Sequence, residues 1–172
     1  MTQIIREHAP FVWRVLRHMR VPESQLDDVS QEVFVVVFRQ LPNFEARSSI
    51  RTWLYGICRN VAFSARRKHG GGRELATEEP PDAGALPTQE SSTWVKQAHA
   101  QLSDALSKLD EDQRMVFVLY EIEELTMDEV AEAIGAPVTT CYSRLYAARD
   151  KVQALIRRKT RLAVGSPAEV TK

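Results

Sequence analysis

The chain has 172 residues, room for one medium or two small domains. Its hydrophobic fraction of 44% suits a globular protein, and no apolar run approaches a membrane span. Lysine and arginine balance aspartate and glutamate at 23 each, which at first argues against a nucleic-acid partner.

The placement of those charges points the other way. Residues 1–69 hold eleven bases against six acids, and residues 70–97 hold two against five. From Thr139 to Arg161 there are seven bases and one acid, Asp150. Such patches act on phosphate within a Debye length of about 8–10 Å, whatever the sum over the chain. Arg6, Glu7 and His8 interrupt the first apolar residues, so a signal-peptide pattern is absent. Cys58 and Cys141 both fall on apolar helical faces and are expected as reduced core residues, which fits a cytoplasmic protein. His8, His18, His69 and His99 make no ligand spacing with them, so neither metal nor cofactor is expected.

Residues 2–20 carry Ile4, Ile5, His8, Phe11, Val12, Val15, Leu16 and Met19 at helical spacing, and Val21-Pro22 breaks the pattern. A second helix is predicted to about Leu41, capped by Ser24, with Leu26, Val29, Val33, Val36 and Val37 inward. Its early polar residues Asp27, Asp28, Gln31 and Glu32 stay outside, where the helix dipole favours the acids. Pro42 ends it. After a loop from Asn43 to Ser49, Ser49 is placed to cap a third helix from Ile50 to about His69. Ile50, Trp53, Leu54, Ile57, Val61 and Ala65 form its core side, and Arg51, Tyr55, Arg59, Ala62 and Arg66 recur along another. Bases interleaved with an aromatic ring suit a single strand, whose phosphates pair with cations while its bases stack, at about 1–3 kcal/mol each.

Residues 70–92 are rich in glycine, proline and acids and read as a flexible linker. A fourth helix is expected from Thr93 to Leu109, with Trp94, Ala98, Leu102, Ala105 and Leu106 inward. Asp110 caps a fifth, with Gln113 as its capping-box partner. Next come two helices joined by a tight turn. Thr126 and Glu129 form a capping box, Gly135 ends the first helix and Pro137 forbids its continuation. The second starts near Thr139 with Cys141, Leu145, Ala148, Val152 and Leu155 on one side. Its other side shows Thr140, Tyr142, Ser143, Arg144, Tyr146 and Arg149, the helix-turn-helix plan for the DNA major groove.

The expected fold is therefore all-α: two small helical domains, 1–69 and 93–161, a linker at 70–92 and a disordered tail at 162–172. Together these segments resemble the extracytoplasmic-function (ECF) sigma factors of bacterial RNA polymerase. Asp27-Asp28-Val29-Ser30-Gln31-Glu32-Val33-Phe34 looks like that family's polymerase-binding helix. Asn43 to Lys68, with Arg51-Thr52-Trp53-Leu54-Tyr55, looks like its promoter-melting segment, and Leu109 to Leu155 like its minus-thirty-five domain.

The resemblance implies that Asp28, Gln31 and Glu32 face the clamp helices of core RNA polymerase. It implies that Asn43, Phe44, Arg47, Ser48, Ser49, Arg51, Tyr55, Arg59 and Asn60 hold the single-stranded minus-ten DNA. Thr139, Thr140, Tyr142, Ser143, Arg144 and Arg149 would meet the minus-thirty-five duplex. An anti-sigma factor would be a further partner. The chain departs from the family at Tyr142, where relatives often carry lysine, and only Arg39 stands in the usually arginine-rich stretch from Val35 to Gln40. A stand-alone helix-turn-helix regulator is the alternative; it leaves the Tyr55 helix and the Asp28 cluster unexplained. An enzyme is not expected, because no nucleophile–base pair or metal cluster is legible.

Overall fold

A computed structural model of the chain describes residues 2–69 and 93–164. The expected linker, 70–92, and the end of the expected tail, 165–172, lie outside the described residues. Seven α-helices and no strand are found among the described residues: α1 (Thr2–His18), α2 (Glu23–Gln40), α3 (Ile50–His69), α4 (Thr93–Ser107), α5 (Glu111–Phe117), α6 (Met127–Ile134) and α7 (Val138–Val164).

The first three helices close around Val12, Val15, Leu16, Leu26, Val33, Val37, Leu54 and Cys58, all almost wholly buried. Burying each such side chain contributes about 1.5–3 kcal/mol, enough together to order a small three-helix unit. The α1 helix ends earlier than Val21-Pro22. Arg20 takes a left-handed conformation (φ 60°), with Val21 N donating to Leu16 O at 3.2 Å and Arg20 N to Arg17 O at 2.9 Å. This is a Schellman closure in which arginine stands where glycine is usual. The α2 helix starts at Glu23 behind Pro22, without a side-chain cap, so Ser24 is an interior residue rather than a cap. Pro22 offers no side-chain acceptor, and Gln25 N donates to its carbonyl at 2.9 Å. Pro42 sits in a 3₁₀ turn, Leu41–Asn43, that tightens the end of α2. Ser49 does cap α3, accepting from Thr52 N at 3.2 Å.

The second unit gathers α4 to α7 around Leu106, Leu109, Val116, Leu119, Val130, Cys141, Leu145 and Ala148. Ala98, expected inward, is exposed along with Gln97, His99 and Ala100, while Leu102 packs against the core; the side chain of Trp94 lies outside those described. Asp110 accepts from Gln113 N at 2.8 Å, but the Gln113 side chain does not complete a box. Its Oε1 accepts from Lys151 Nζ at 2.6 Å instead, tying α5 to α7. The turn that follows α5 is π-helical, Val118–Ile122, with Glu123 N donating to Val118 O at 2.9 Å. Thr126 and Glu129 form the reciprocal capping box, and Gly135 closes α6 at φ 75°. A β-carbon there would meet no atom within 4 Å, so the demand for glycine is one of backbone conformation alone. The α7 helix continues through Val164, past the point where a frayed tail is expected.

The two units pack together, and α3 lies against α6. Glu123, whose side chain is 1% exposed, accepts from Arg14 Nε at 2.6 Å and from Arg14 Nη2 at 2.8 Å. Its carbonyl accepts from Arg51 Nη1 at 2.9 Å. Arg114, buried in α5, donates to His18 O at 2.8 Å across the boundary and to Leu109 O at 3.2 Å within its own unit. Arg20 Nη2 reaches Ser107 O at 3.0 Å, at the carbonyl end of α4, where the helix dipole favours a cation.

Candidate polymerase and nucleic-acid interfaces

The three residues expected at the polymerase share one exposed stretch of α2: Asp28, Gln31 and Glu32. They lie outward because Leu26, Val29, Val33 and Val37 take the inward positions of the same helix. Glu32 Oε1 is 3.4 Å from Lys68 Nζ on α3, an exposed pair of small energetic weight.

The expected minus-ten residues divide into three groups, the last of them Tyr55 alone. Asn43, Arg47, Arg51, Arg59 and Asn60 are exposed, while Phe44, Ser48 and Ser49 are partly covered. Phe44 lies against Trp53 with ring centroids 4.8 Å apart and planes tilted by 38°, which fixes the loop against α3. Ala46, between them in the chain, is left-handed at φ 52°, a conformation costing an L-residue about 1–2 kcal/mol. Arg47 pairs with its neighbour Glu45 at 2.5 Å and is otherwise in solvent.

Tyr55 corrects the sequence expectation of an open basic-aromatic face. It is 4% exposed, and Ala62 on the same arc is 2% exposed. Burial pushes the phenol up to about 12; Arg59 opposes the shift, and Glu111 and Asp112 of α5 add to it. Further along α3, Arg66 Nη1 lies 3.5 Å from Glu111 Oε1 of α5, which joins this helix to the second unit. Arg51 points the same way, held by the Glu123 carbonyl and 5.9 Å from the Phe11 ring centroid.

On α7, Thr139, Tyr142 and Ser143 are exposed and Thr140, Arg144 and Arg149 are half-buried. Tyr142 and Tyr146 stack at 6.2 Å, and Ser143 Oγ donates back to Thr139 O at 3.1 Å. The apolar side is as the spacing requires, with Cys141, Leu145, Ala148 and Val152 buried. Both cysteines are free and buried; burial pushes the Cys58 thiol up to about 12 and raises that of Cys141. No group of three or more possible metal ligands occurs among the described residues.

Sequence reasoning missed the residues that join the two units. Glu123 sits in a run of acids that looks solvated, and Arg114 carries no signal beyond being a lone base among Met115, Val116 and Phe117. Their partners are remote in the chain. His18 belongs with them: burial first, then the field of Arg114, Arg17 and Arg14, lowers its imidazole to about 4. An unfolded histidine takes its proton near 6.5, so between those values the unfolded chain binds more protons. Stability is therefore fully present above about pH 6.5 and is lost as pH falls towards 4. His18→Gln should flatten the melting temperature across that window relative to the unsubstituted chain. Parallel pH profiles would mean that His18 is solvated.

With this geometry in place, comparison with known proteins gives a consistent result. Sigma-70 region 2 matches residues 4–71, and Sigma-70 region 4 matches residues 99–152. The chain is 32% identical over 151 residues to the ECF RNA polymerase sigma-E factor of Escherichia coli K12, covering 80% of this chain and 79% of that one. It is 28% identical over 142 residues to the sigma-E factor of Haemophilus influenzae, covering 77% and 75%. Among solved structures it resembles CnrH, in a complex with the cytosolic domain of CnrY, at TM-score 0.66 and 25% identity over 91% of this chain and 87% of that one. The fold also matches RpoE, bound to the anti-sigma factor NepR from Bartonella quintana, at TM-score 0.68 and 22% identity over 91% and 96%. The class is that of two-domain helical sigma factors. This chain belongs to the ECF sigma factors of RNA polymerase.

Proposed function

We infer that this chain joins core RNA polymerase through Asp28, Gln31 and Glu32 and carries it to promoters by two DNA-binding faces. The loop Asn43–Ser49 with Arg51, Arg59 and Asn60 holds the opened minus-ten strand. Thr139, Thr140, Tyr142, Ser143, Arg144 and Arg149 meet the minus-thirty-five duplex. The carrying observation is the order along one chain: a polar α2 face, a basic α3 with its loop, and a helix-turn-helix, within the regions matched by the two family descriptions. A lone helix-turn-helix regulator has no use for the first two. No catalytic chemistry is assigned. No helix among the described residues is long and apolar enough to cross a membrane, and a cytoplasmic location follows from work on the polymerase. A protein antagonist of the anti-sigma kind is a further expected partner, supported by the capture of CnrH with a second protein.

Purified chain added to core polymerase should direct promoter-specific runoff transcription; duplex binding without runoff would favour the lone regulator. Asp28→Lys or Glu32→Lys should weaken core binding about tenfold, as expected for like-charge juxtaposition in an interface, with helicity unchanged. Equal affinity for core in both variants would remove α2 from the interface.

A further inference from the structure

Arg144 and Arg149 are both held by acids of their own domain. Arg149 Nε lies 2.6 Å from Glu121 Oε1, and its Nη2 lies 2.5 Å from the same oxygen. Its guanidinium stands 5.8 Å from the Tyr120 ring centroid and 5.9 Å from that of Tyr146. Arg144 Nη2 pairs with Asp112 Oδ2. Asp112 comes from the first turn of α5 and Glu121 from the π-helical turn that follows α5. Both arginine side chains remain partly open, 27% and 41% exposed.

A free surface arginine loses rotamer entropy on binding, and a carboxylate and rings that already hold it reduce that loss. The guanidinium has five N–H donors. Glu121 engages Nε and one Nη2 hydrogen of Arg149, leaving both Nη1 hydrogens and the second Nη2 hydrogen for an outside acceptor. Asp112 engages Arg144 through Nη2. An arginine backed by a carboxylate has little net charge to offer a phosphate, yet its remaining donors still match guanine O6 and N7. We propose that Asp112 and Glu121 are positioning residues that aim Arg144 and Arg149 at base edges, making both arginines readers of sequence and not phosphate anchors. This rests on α7 being the minus-thirty-five recognition helix.

The test is selection of duplexes from a random-sequence library by the full chain assembled on core polymerase. Arg144→Ala should relax the preference at one base pair by roughly tenfold, within the range of a bidentate base contact. Asp112→Asn should relax the same base pair to a lesser degree, and the double variant should be no worse than Arg144→Ala alone. Glu121→Gln and Arg149→Ala should behave likewise at a second base pair, which keeps the claim testable should Asp112→Asn unfold. The slope of log affinity against log salt should stay unchanged in the arginine variants. A fall in that slope of about one per arginine would make them phosphate anchors and overturn the proposal. Tighter binding by Asp112→Asn and Glu121→Gln with an unchanged profile would make the acids competitors of DNA and overturn it equally. If the unsubstituted chain selects no duplex, the recognition-helix reading fails and the proposal falls with it.

Discussion

Tyr55→Ala is expected to lower folding stability by about 3 kcal/mol, in the range for emptying a buried aromatic site. Tyr55 is 4% exposed, so removing its ring leaves a buried cavity. Denaturant midpoints should show the loss, while Tyr55→Phe, which keeps the ring, should stay within about 1 kcal/mol of the unsubstituted chain. This separates packing from strand capture. A Tyr55→Ala chain that melts normally but leaves promoter thymines unreactive to permanganate would place the ring on the opened strand. One that melts early has its defect in the fold.

Glu123→Ala should have the next largest effect, about 2 kcal/mol. Stranding one partner of a fully buried pair costs about 3–5 kcal/mol, but Arg14 is 43% exposed and water can solvate the charge left behind. The loss should fall on the packing between units. Scattering should report a larger radius of gyration, with the helical content of both units retained. An unchanged radius, together with a shift in melting temperature too small to resolve, would mean that the Arg14–Glu123 pair does not hold the units together. Glu123→Gln, which keeps one acceptor oxygen, should lie between.

Features governed by a few neighbouring residues were legible. Ser49 before α3, the Thr126–Glu129 box and Gly135 were all readable because the hydrogen bonds concerned span three to five residues. The exposed polar face of α2 followed from the apolar period on its other side. What escaped was either non-local or a substitution for the usual residue. Arg20 closes α1 in the backbone state that ordinarily announces itself as glycine. The π-helical turn after α5 leaves no mark in a 3.6-residue period. Tyr55 reads equally as a stacking platform or a core ring, and the choice is made by tertiary packing that no local spacing reports. Glu123 finds Arg14 across 109 positions, a pairing that no local pattern encodes.

The contact between Arg51 and the Glu123 carbonyl has a thermodynamic consequence for any DNA that needs Arg51. Both groups belong to one chain, so the covering unit competes for Arg51 as an intramolecular group at a fixed effective concentration. Diluting the protein does not weaken this competitor. A single strand therefore binds with its intrinsic affinity reduced by the fraction of chains that are open. Isolated residues 2–69 would escape that tax, and a polymerase that engages both units at once repays it with binding energy no isolated strand can supply.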